Sequence, residues 1–512
     1  MRNTFTYISL AAAIMVAACF TACEKVEVST GDEVPEEIVT PAITMSVNAT
    51  KVGETKALSD NGSAITSTWT QGDEVEVWTS DGTTKQYGTI TAQSSGTSTR
   101  LSGTLDSTPS NGESLLLKYL SPKYSTQDGT LTGFATSIDK VCDYATATVT
   151  ATVAGGSVTT DDADFTSQQA ILKLNLKSDG NVDITSDVRQ LTVTLGGQTV
   201  TVNRTPAAGP VYVAVPAAEG SIVFYAAKGK YLYTKSVSKT LTAEHLYPVN
   251  LSMSIVEGAL SGLFSVSASK KVYFSKGNLM ADFNSAGNSY TWSFANNQWG
   301  CVGDHAANNA ITGTGTVSAG GGAVDLFGWS ATNYNTYGID STSYGQHYRG
   351  DFRDWGTNAI TNGGNTENSG WYTLSDTEWD YLKSHATWGM ATVAGVCGLI
   401  ILPDNYSGSP ITSGYDNKWN TNSIDASSWA SNYEAYGAVF LPAAGYRTRT
   451  TMFYDPSFNA ANRRGYYWSS RSYEYGGNYG GHYVLFDITG FSSEYDSKGH
   501  IGKSVRLVRV AN

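Results

Sequence analysis

Basic charge is scarce in this chain. Thirty-three Lys and Arg face 45 Asp and Glu over 512 residues, for a net charge of −12 and a pI near 5.0. That balance excludes a protein that wraps nucleic acid, which needs basic patches. Twelve prolines are too few for a proline-rich stalk. No apolar run beyond residue 20 reaches the ~18–20 residues that span a bilayer. Catalytic signatures are missing too. The six histidines make no HExxH or other metal spacing, no Gly-x-Ser-x-Gly elbow occurs, and the Gly-rich run at 319–322 lacks the Lys-Ser/Thr of a P-loop. The expectation is therefore no enzyme, no cofactor and no metal ligand, with a structural Ca²⁺ in an acidic loop left open. What the chain does have is 53 Gly and 31 Tyr with only 15% charged residues, which points to β structure and loops rather than helices. Its length suggests about three domains, each able to bury a core.

The first residues read as an address. Arg2 supplies a short positive region, and Ile8 to Phe20 is apolar but too short to span. Phe20-Thr21-Ala22-Cys23 resembles a bacterial lipobox, and Val16-Ala17-Ala18-Cys19 fits the same pattern. The polar chain that starts at Glu24 and Lys25 favours Cys23 as the lipidated residue. The resemblance implies a signal peptide over 1–22, export, and an outer-membrane lipoprotein tied to the membrane by acyl chains, each buried CH₂ adding ~0.8 kcal/mol. Residues 23–40 are acidic, contain proline and read as a solvated tether. Cys142, Cys301 and Cys397 then remain, none in a CxxC. Cys301 and Cys397 either bridge or stay thiols.

Before residue 258 the pattern is β throughout. Ile43, Met45 and Val47 alternate, as do Val75 and Val77, and Leu172, Leu174 and Leu176. Leu191 to Leu195 runs through Gly196-Gly197 into Val200 and Val202, a tight hairpin. Short strands at this spacing predict antiparallel sandwiches rather than a parallel sheet. After Gly258 aromatics take over, with ten of the 12 Trp between Trp292 and Trp468. Ser375-Asp376-Thr377-Glu378 is a capping box that starts a helix with Trp379 and Leu382 on one face, and Ser427–Tyr436 is a second helical stretch. An α+β domain over 258–512 is predicted, in a chain that is mainly β.

Trp69-Thr-Gln-Gly72-Asp73-Glu74-Val75-Glu76-Val77-Trp78, the Lys56-containing loop before it and Leu246-Tyr247-Pro248-Val249-Asn250-Leu251 after it carry a resemblance to the fimbrillin family of type V pilins over residues 41–255. It implies two tandem transthyretin-like sandwiches, over 41–155 and 156–257, and assembly by strand exchange with other pilin subunits. In that scheme a trypsin-like protease cuts after a basic residue past the first strand, and a neighbour's strand fills the groove. Lys51 and Lys56 are the expected cleavage positions.

Residues 260–512 resemble the C-type-lectin-like fold, in the branch of formylglycine-generating enzymes and retroelement-diversified variable proteins. Phe264-Ser-Val-Ser, Val272-Tyr-Phe-Ser-Lys-Gly-Asn278, Leu374-Ser375 with Glu378-Trp379, Leu441-Pro-Ala-Ala-Gly-Tyr-Arg447, Tyr467-Trp468-Ser469-Ser470 and Ser504-Val-Arg-Leu-Val-Arg509 carry it, in that order. The enzyme branch needs a paired cysteine site for copper, and the terminal stretch has no cysteine. The Glu-Pro-Asn and Gln-Pro-Asp signatures of calcium-dependent lectins are absent as well. Between Arg471 and His500, 16 of 30 residues are Tyr, Gly, Ser or Asn. This is a paratope-like composition, in which Tyr gives contact area at low entropy cost and the small residues give adaptable hydrogen bonds. In the diversified proteins this segment is hypervariable, within a framework here formed by Trp468-Ser469-Ser470, Tyr483 to Phe486 and the Val-Arg-Leu-Val-Arg ending. The expected contact residues are Arg471, Ser472, Tyr473, Glu474, Tyr475, Asn478, Tyr479 and His482. Phe491, Ser493, Glu494, Tyr495, Asp496, Lys498 and His500 form the second half of the set.

The sequence thus predicts a cell-surface lipoprotein pilin acting as a pilus-tip adhesin. Its ligand is a glycan, a host protein or a bacterial surface, with no nucleic acid involved. A non-polymerising anchored adhesin and a structural shaft or anchor subunit stand as alternatives.

Overall fold

The computed structural model describes residues 43–52, 59–60, 65–66, 68–284, 289–301, 323–333, 337–339, 348–448, 451–452, 463–496 and 498–511. Cys23, the signal peptide, the tether and Lys56 lie outside the described residues. The chain is mainly β.

The first body is one eight-stranded sheet closed on itself. Its strands are β1 (Ile43–Val52), β2 (Glu74–Thr79), β3 (Gln86–Ala92), β4 (Ser98–Leu105), β5 (Ser114–Tyr119), β6 (Ala145–Ala154), β7 (Ser157–Thr160) and β8 (Ala163–Ser167). They run in the order β8-β1-β4-β3-β2-β5-β6-β7, with closing pairs β8–β6 and β1–β7. A short helix, α1 (Ile138–Val141), precedes β6. Period-two alternation drives the assembly: Met45, Val47 and Ala49 point inward from β1, and Val75, Val77, Leu115 and Leu117 from β2 and β5. Each Val or Leu so buried contributes ~1.5–3 kcal/mol relative to exposure.

The boundary expected at 155/156 falls inside a hairpin. Ala154 pairs with Ser157 across Gly155-Gly156, both at positive φ. β7 and β8 stay with the first sheet because Val158, Ala163 and Phe165 are buried in its core. The first body therefore runs to Ser167.

The second body comprises β9 (Gln169–Ser178), β10 (Val188–Leu195), β11 (Gln198–Asn203), β12 (Val211–Pro216), β13 (Ser221–Lys228), β14 (Tyr231–Ser238) and the 20-residue β15 (Leu246–Ser265). The expected Gly196-Gly197 hairpin joins β10 to β11. β15 begins parallel to β9, crosses to pair antiparallel with β14, and ends antiparallel to β16 (Lys271–Ser275). The expected change of character at 258 thus lies inside a continuous strand. Gly258 is a bulge residue at φ +76°, where a Cβ would meet the Asn362 carbonyl and the Phe294 ring.

β15 leaves no linker between the second body and the third. One core joins Tyr225, Leu232 and Val256 to Trp292, Trp329, Trp355, Trp371 and Trp468. Arg189 adds a polar clamp, donating to the Gly229 carbonyl and the Ser261 hydroxyl.

The third body holds β17 (Trp371–Thr373), α2 (Asp376–His385), β18 (Trp388–Val393), β19 (Val396–Ile401), β20 (Asn422–Ile424), α3 (Ala426–Asn432), β21 (Val439–Pro442), β22 (Gly465–Tyr475), β23 (Asn478–Asp487), β24 (Gly490–Asp496) and β25 (Leu507–Val510). The capping box at Ser375 and Glu378 forms with both reciprocal bonds, and Trp379 and Leu382 are the buried face of α2. The second predicted helical stretch is α3 followed by a 3₁₀ turn to Tyr436. β25 is inserted between β16 and β17, with Val272 opposite Val510 and Trp371 opposite Arg509.

Cys142, Cys301 and Cys397 are all thiols, so the Cys301–Cys397 bridge does not form. Burial pushes the Cys142 thiol up to about 12.

Candidate functional site

β22, β23 and β24 form an antiparallel meander with an anchored inner half and an open outer half. The anchor is aromatic. Tyr467 is buried, donates its hydroxyl to the Pro442 carbonyl and accepts from the Asn278 amide. Trp468 is 1% exposed, donates Nε1–H to the Phe327 carbonyl at 2.6 Å and meets the Trp329 ring edge-on at 5.3 Å. The Lys503 ammonium lies 4.0 Å from the Trp468 ring centroid and 4.4 Å from that of Tyr483, and Asp496 Oδ2 holds it at 3.0 Å. Burial nevertheless pulls the Lys503 pKa down to about 8.

Past Trp468 the register slips, and regular pairing resumes at Ser472 opposite Gly481. The bulge carries Ser469 to Arg471, and the Ser469 hydroxyl ties it to the His482 carbonyl. The hairpin then turns through Gly476-Gly477, both at positive φ as a two-residue turn requires.

Strand alternation sorts the expected contact residues onto two faces. Tyr473, Tyr475, Asn478, His482, Ser493 and Tyr495 share one. The Tyr473 and Tyr495 rings lie 4.3 Å apart, with His482 5.9 and 6.0 Å from them. Tyr475 is 70% and Tyr495 58% exposed. The first turns of α2 flank this set. Asp376 accepts from Arg471 Nη1 at 2.6 Å and sits 3.6 Å from His482 Nδ1, while Asp380 accepts from the Ser493 hydroxyl and pairs with Lys383. Partial burial holds the His482 pKa below the usual imidazole range, opposed by the nearby Asp376 carboxylate.

Ser472, Glu474 and Tyr479 belong to the other face. Arg349 stacks on Tyr479 at 5.8 Å, and a cavity of about 260 Å³ opens between Arg349 and this side of the hairpin. Glu494 accepts from Ser492, and Lys498 is exposed.

The structure removes three residues from the expected surface. Phe491 is buried against Trp388 and Phe486, because β24 starts over the core. His500 is buried where the chain turns back toward β25. Asp496 is occupied internally, by the Lys503 ammonium and the Lys498 amide. Conversely, Asp376, Asp380 and Arg349 border the site and were not among the expected residues. Asp376 was visible only as part of a helix-start motif, and Arg349 carried no sequence signal.

Lys51 also differs from expectation. It is the last inward-facing residue of β1 rather than a loop residue, with its side chain 1% exposed. The backbone pairing with Phe165 of β8 fixes that direction.

Among the described residues no three His, Cys, Asp or Glu side chains are grouped to hold a metal ion. No family model matches the chain, and no curated protein does. Solved structures overlap it at low similarity. A candidate cell adhesion protein from Bacteroides ovatus is 17% identical over 42% of this chain and 94% of its own, with a TM-score of 0.25. A fimbrial protein from Bacteroides ovatus is 9% identical over 91% of this chain and 99% of its own, at 0.22. The C-terminal fragment of the pilus adhesin SpaC from Lactobacillus rhamnosus GG is 9% identical over 42% and 98%, at 0.15. Scores this low establish neither a fold nor a function for this chain.

Proposed function

We propose that this chain is a cell-surface lipoprotein pilin that serves as a pilus-tip adhesin, with the outer half of the β22–β24 meander as its binding face. The observation that carries the reading is the placement of β25. It is paired on both sides, by β16 and β17, in the sheet that continues from the second body through β15, so it is not a spare strand for a neighbour. β1 is also paired on both sides, by β4 on one and by β7 and β8 on the other; what sets it apart in this reading is the expected cut behind it, at Lys56. Its departure would expose unpaired backbone and an apolar trench, which is what a donated strand completes. A subunit that accepts a strand in the β1 slot and keeps β25 within its own sheet suits the end of a filament. Lipidation at Cys23 and proteolytic release of β1 belong to the same proposal. The bond after Lys51 lies in a paired strand, which leaves Lys56 as the cleavage position this reading uses.

The head acts by binding rather than catalysis, on a glycan, a host protein or another bacterial surface. The Tyr, Gly, Ser and Asn content of 471–500 supports diversification by a retroelement. A nearby reverse transcriptase gene and a near-repeat of the 465–509 coding segment are its expected marks.

Burial of Lys51 in β1 favours a second reading, an anchored adhesin that keeps its first strand. Mass spectrometry and immunogold labelling of intact pili separate the two. The tip reading expects substoichiometric, tip-located protein beginning at Ala57; intact lipidated Cys23 in every copy overturns it.

A further inference from the structure

The slot that holds β1 is not apolar throughout. The inward row reads Met45, Val47, Ala49 and then Lys51. A charged side chain stands where the alternation calls for a fourth apolar one. Its ammonium lies 3.9 Å from the Tyr119 ring centroid and 4.3 Å from that of Trp69. Asp143 Oδ2 is 3.5 Å away, on a side chain 0% exposed. Trp69 packs edge-on against both Tyr119 and Phe165, which sets the two walls.

None of these walls belongs to β1. Trp69 precedes β2, Tyr119 ends β5, and Asp143 lies between α1 and β6. None of the three lies on a strand paired with β1, so its departure takes away none of their backbone pairing. Two ring faces carry negative quadrupole potential, and the carboxylate adds a full negative charge out of water. Such a box attracts a compact cation and rejects an apolar group, which would leave the carboxylate buried without it. It also pins register. A one-residue slip turns the cation out of the core, and a two-residue slip brings Ala49 to the box.

We propose that Trp69, Tyr119 and Asp143 form a lysine socket that selects the strand occupying the slot. The partner is a second subunit whose donated strand presents three small or medium apolar residues at alternate positions, followed two residues later by a lysine. This rests on the strand-exchange reading above and adds the chemistry by which a donor is recognised.

The test uses the full chain, nicked by a trypsin-like protease and offered labelled peptides in excess. One peptide is ITMSVNATKV, the β1 sequence itself; the other carries Lys51→Met, similar in length and uncharged. Uptake is followed by fluorescence anisotropy. The expected result is that the lysine peptide binds at least about 100-fold more tightly than the methionine peptide, because the latter leaves Asp143 buried without this cation. Asp143→Asn in the protein is expected to shrink that preference to less than about tenfold, and the wild-type comparison stands even where that variant fails to fold. Equal uptake of both peptides overturns the socket while leaving strand exchange intact. Uptake of neither by nicked protein overturns strand exchange, and the socket as a donor filter with it.

Discussion

Replacing Trp468 by Ala separates the anchored half of the meander from its open half. The indole is 1% exposed, so its removal leaves a cavity among Trp329, Phe327 and Tyr483. A buried Trp→Ala change costs about 3–5 kcal/mol. Two further losses add to it. The Phe327 carbonyl loses its indole donor, worth about 1 kcal/mol. Lys503, already held against its own burial, loses one of its two aromatic faces. For a unit of 150–250 residues each kcal/mol shifts Tm by about 2–4 °C, so a loss of about 4–6 kcal/mol is expected to lower Tm by roughly 8–24 °C. The assay is calorimetry on the full chain, with tryptophan fluorescence reporting on the third body. Tyr475→Ala is the control: at 70% exposure it is expected to move stability by less than ~0.5 kcal/mol. In a cell-binding assay the same change is expected to remove about 2 kcal/mol or more of binding if Tyr475 is a hot spot. A Trp468→Ala protein melting within 2–3 °C of wild type, about what 1 kcal/mol gives, would refute the anchoring argument. Early melting of the Tyr475, Tyr473 and Tyr495 variants would show that the outer face is structural instead.

Three other outcomes are expected. Lys503 has a folded pKa near 8 against ~10.4 unfolded, so the unfolded chain binds more protons between those values and stability should rise with pH from about 8 to 10. Lys503→Met should flatten that rise, and an unchanged slope in denaturant titrations across the range would count against it. Under native conditions at pH 8 an alkylating reagent should label Cys301, which is partly exposed, before Cys142 and Cys397, which are buried; intact mass showing two thiols lost without reductant would mean a bridge exists. Adhesion should survive EDTA, and its loss with recovery on added Ca²⁺ would overturn the metal-free reading.

Much of the architecture was legible because it is written locally. Period-two alternation marked β1, β2, β9 and β10, and the capping box at Ser375 and Glu378 marked α2 within one turn of chain. These signals need no partner from elsewhere in the chain: an alternating strand or a capped helix follows from neighbouring residues alone.

What the tertiary structure decided concerns long-range pairing. Gly258 reads as a break, yet β15 passes through it, because a glycine bulge lets one strand leave β14 and join β16. Gly155-Gly156 reads as a boundary, yet β7 and β8 return to the first sheet to cover its core. Phe491 and His500 have the look of a polar, aromatic loop, but the meander's register turns the first onto Trp388 and the chain's return buries the second. Lys51 is the sharpest case. Composition makes a lysine near a strand end a solvated residue. Only the assembled sheet puts Trp69, Tyr119 and Asp143, up to 92 positions away, around its ammonium. A side chain's direction follows from its own strand, whereas what it meets there depends on which distant segments the fold brings beside it.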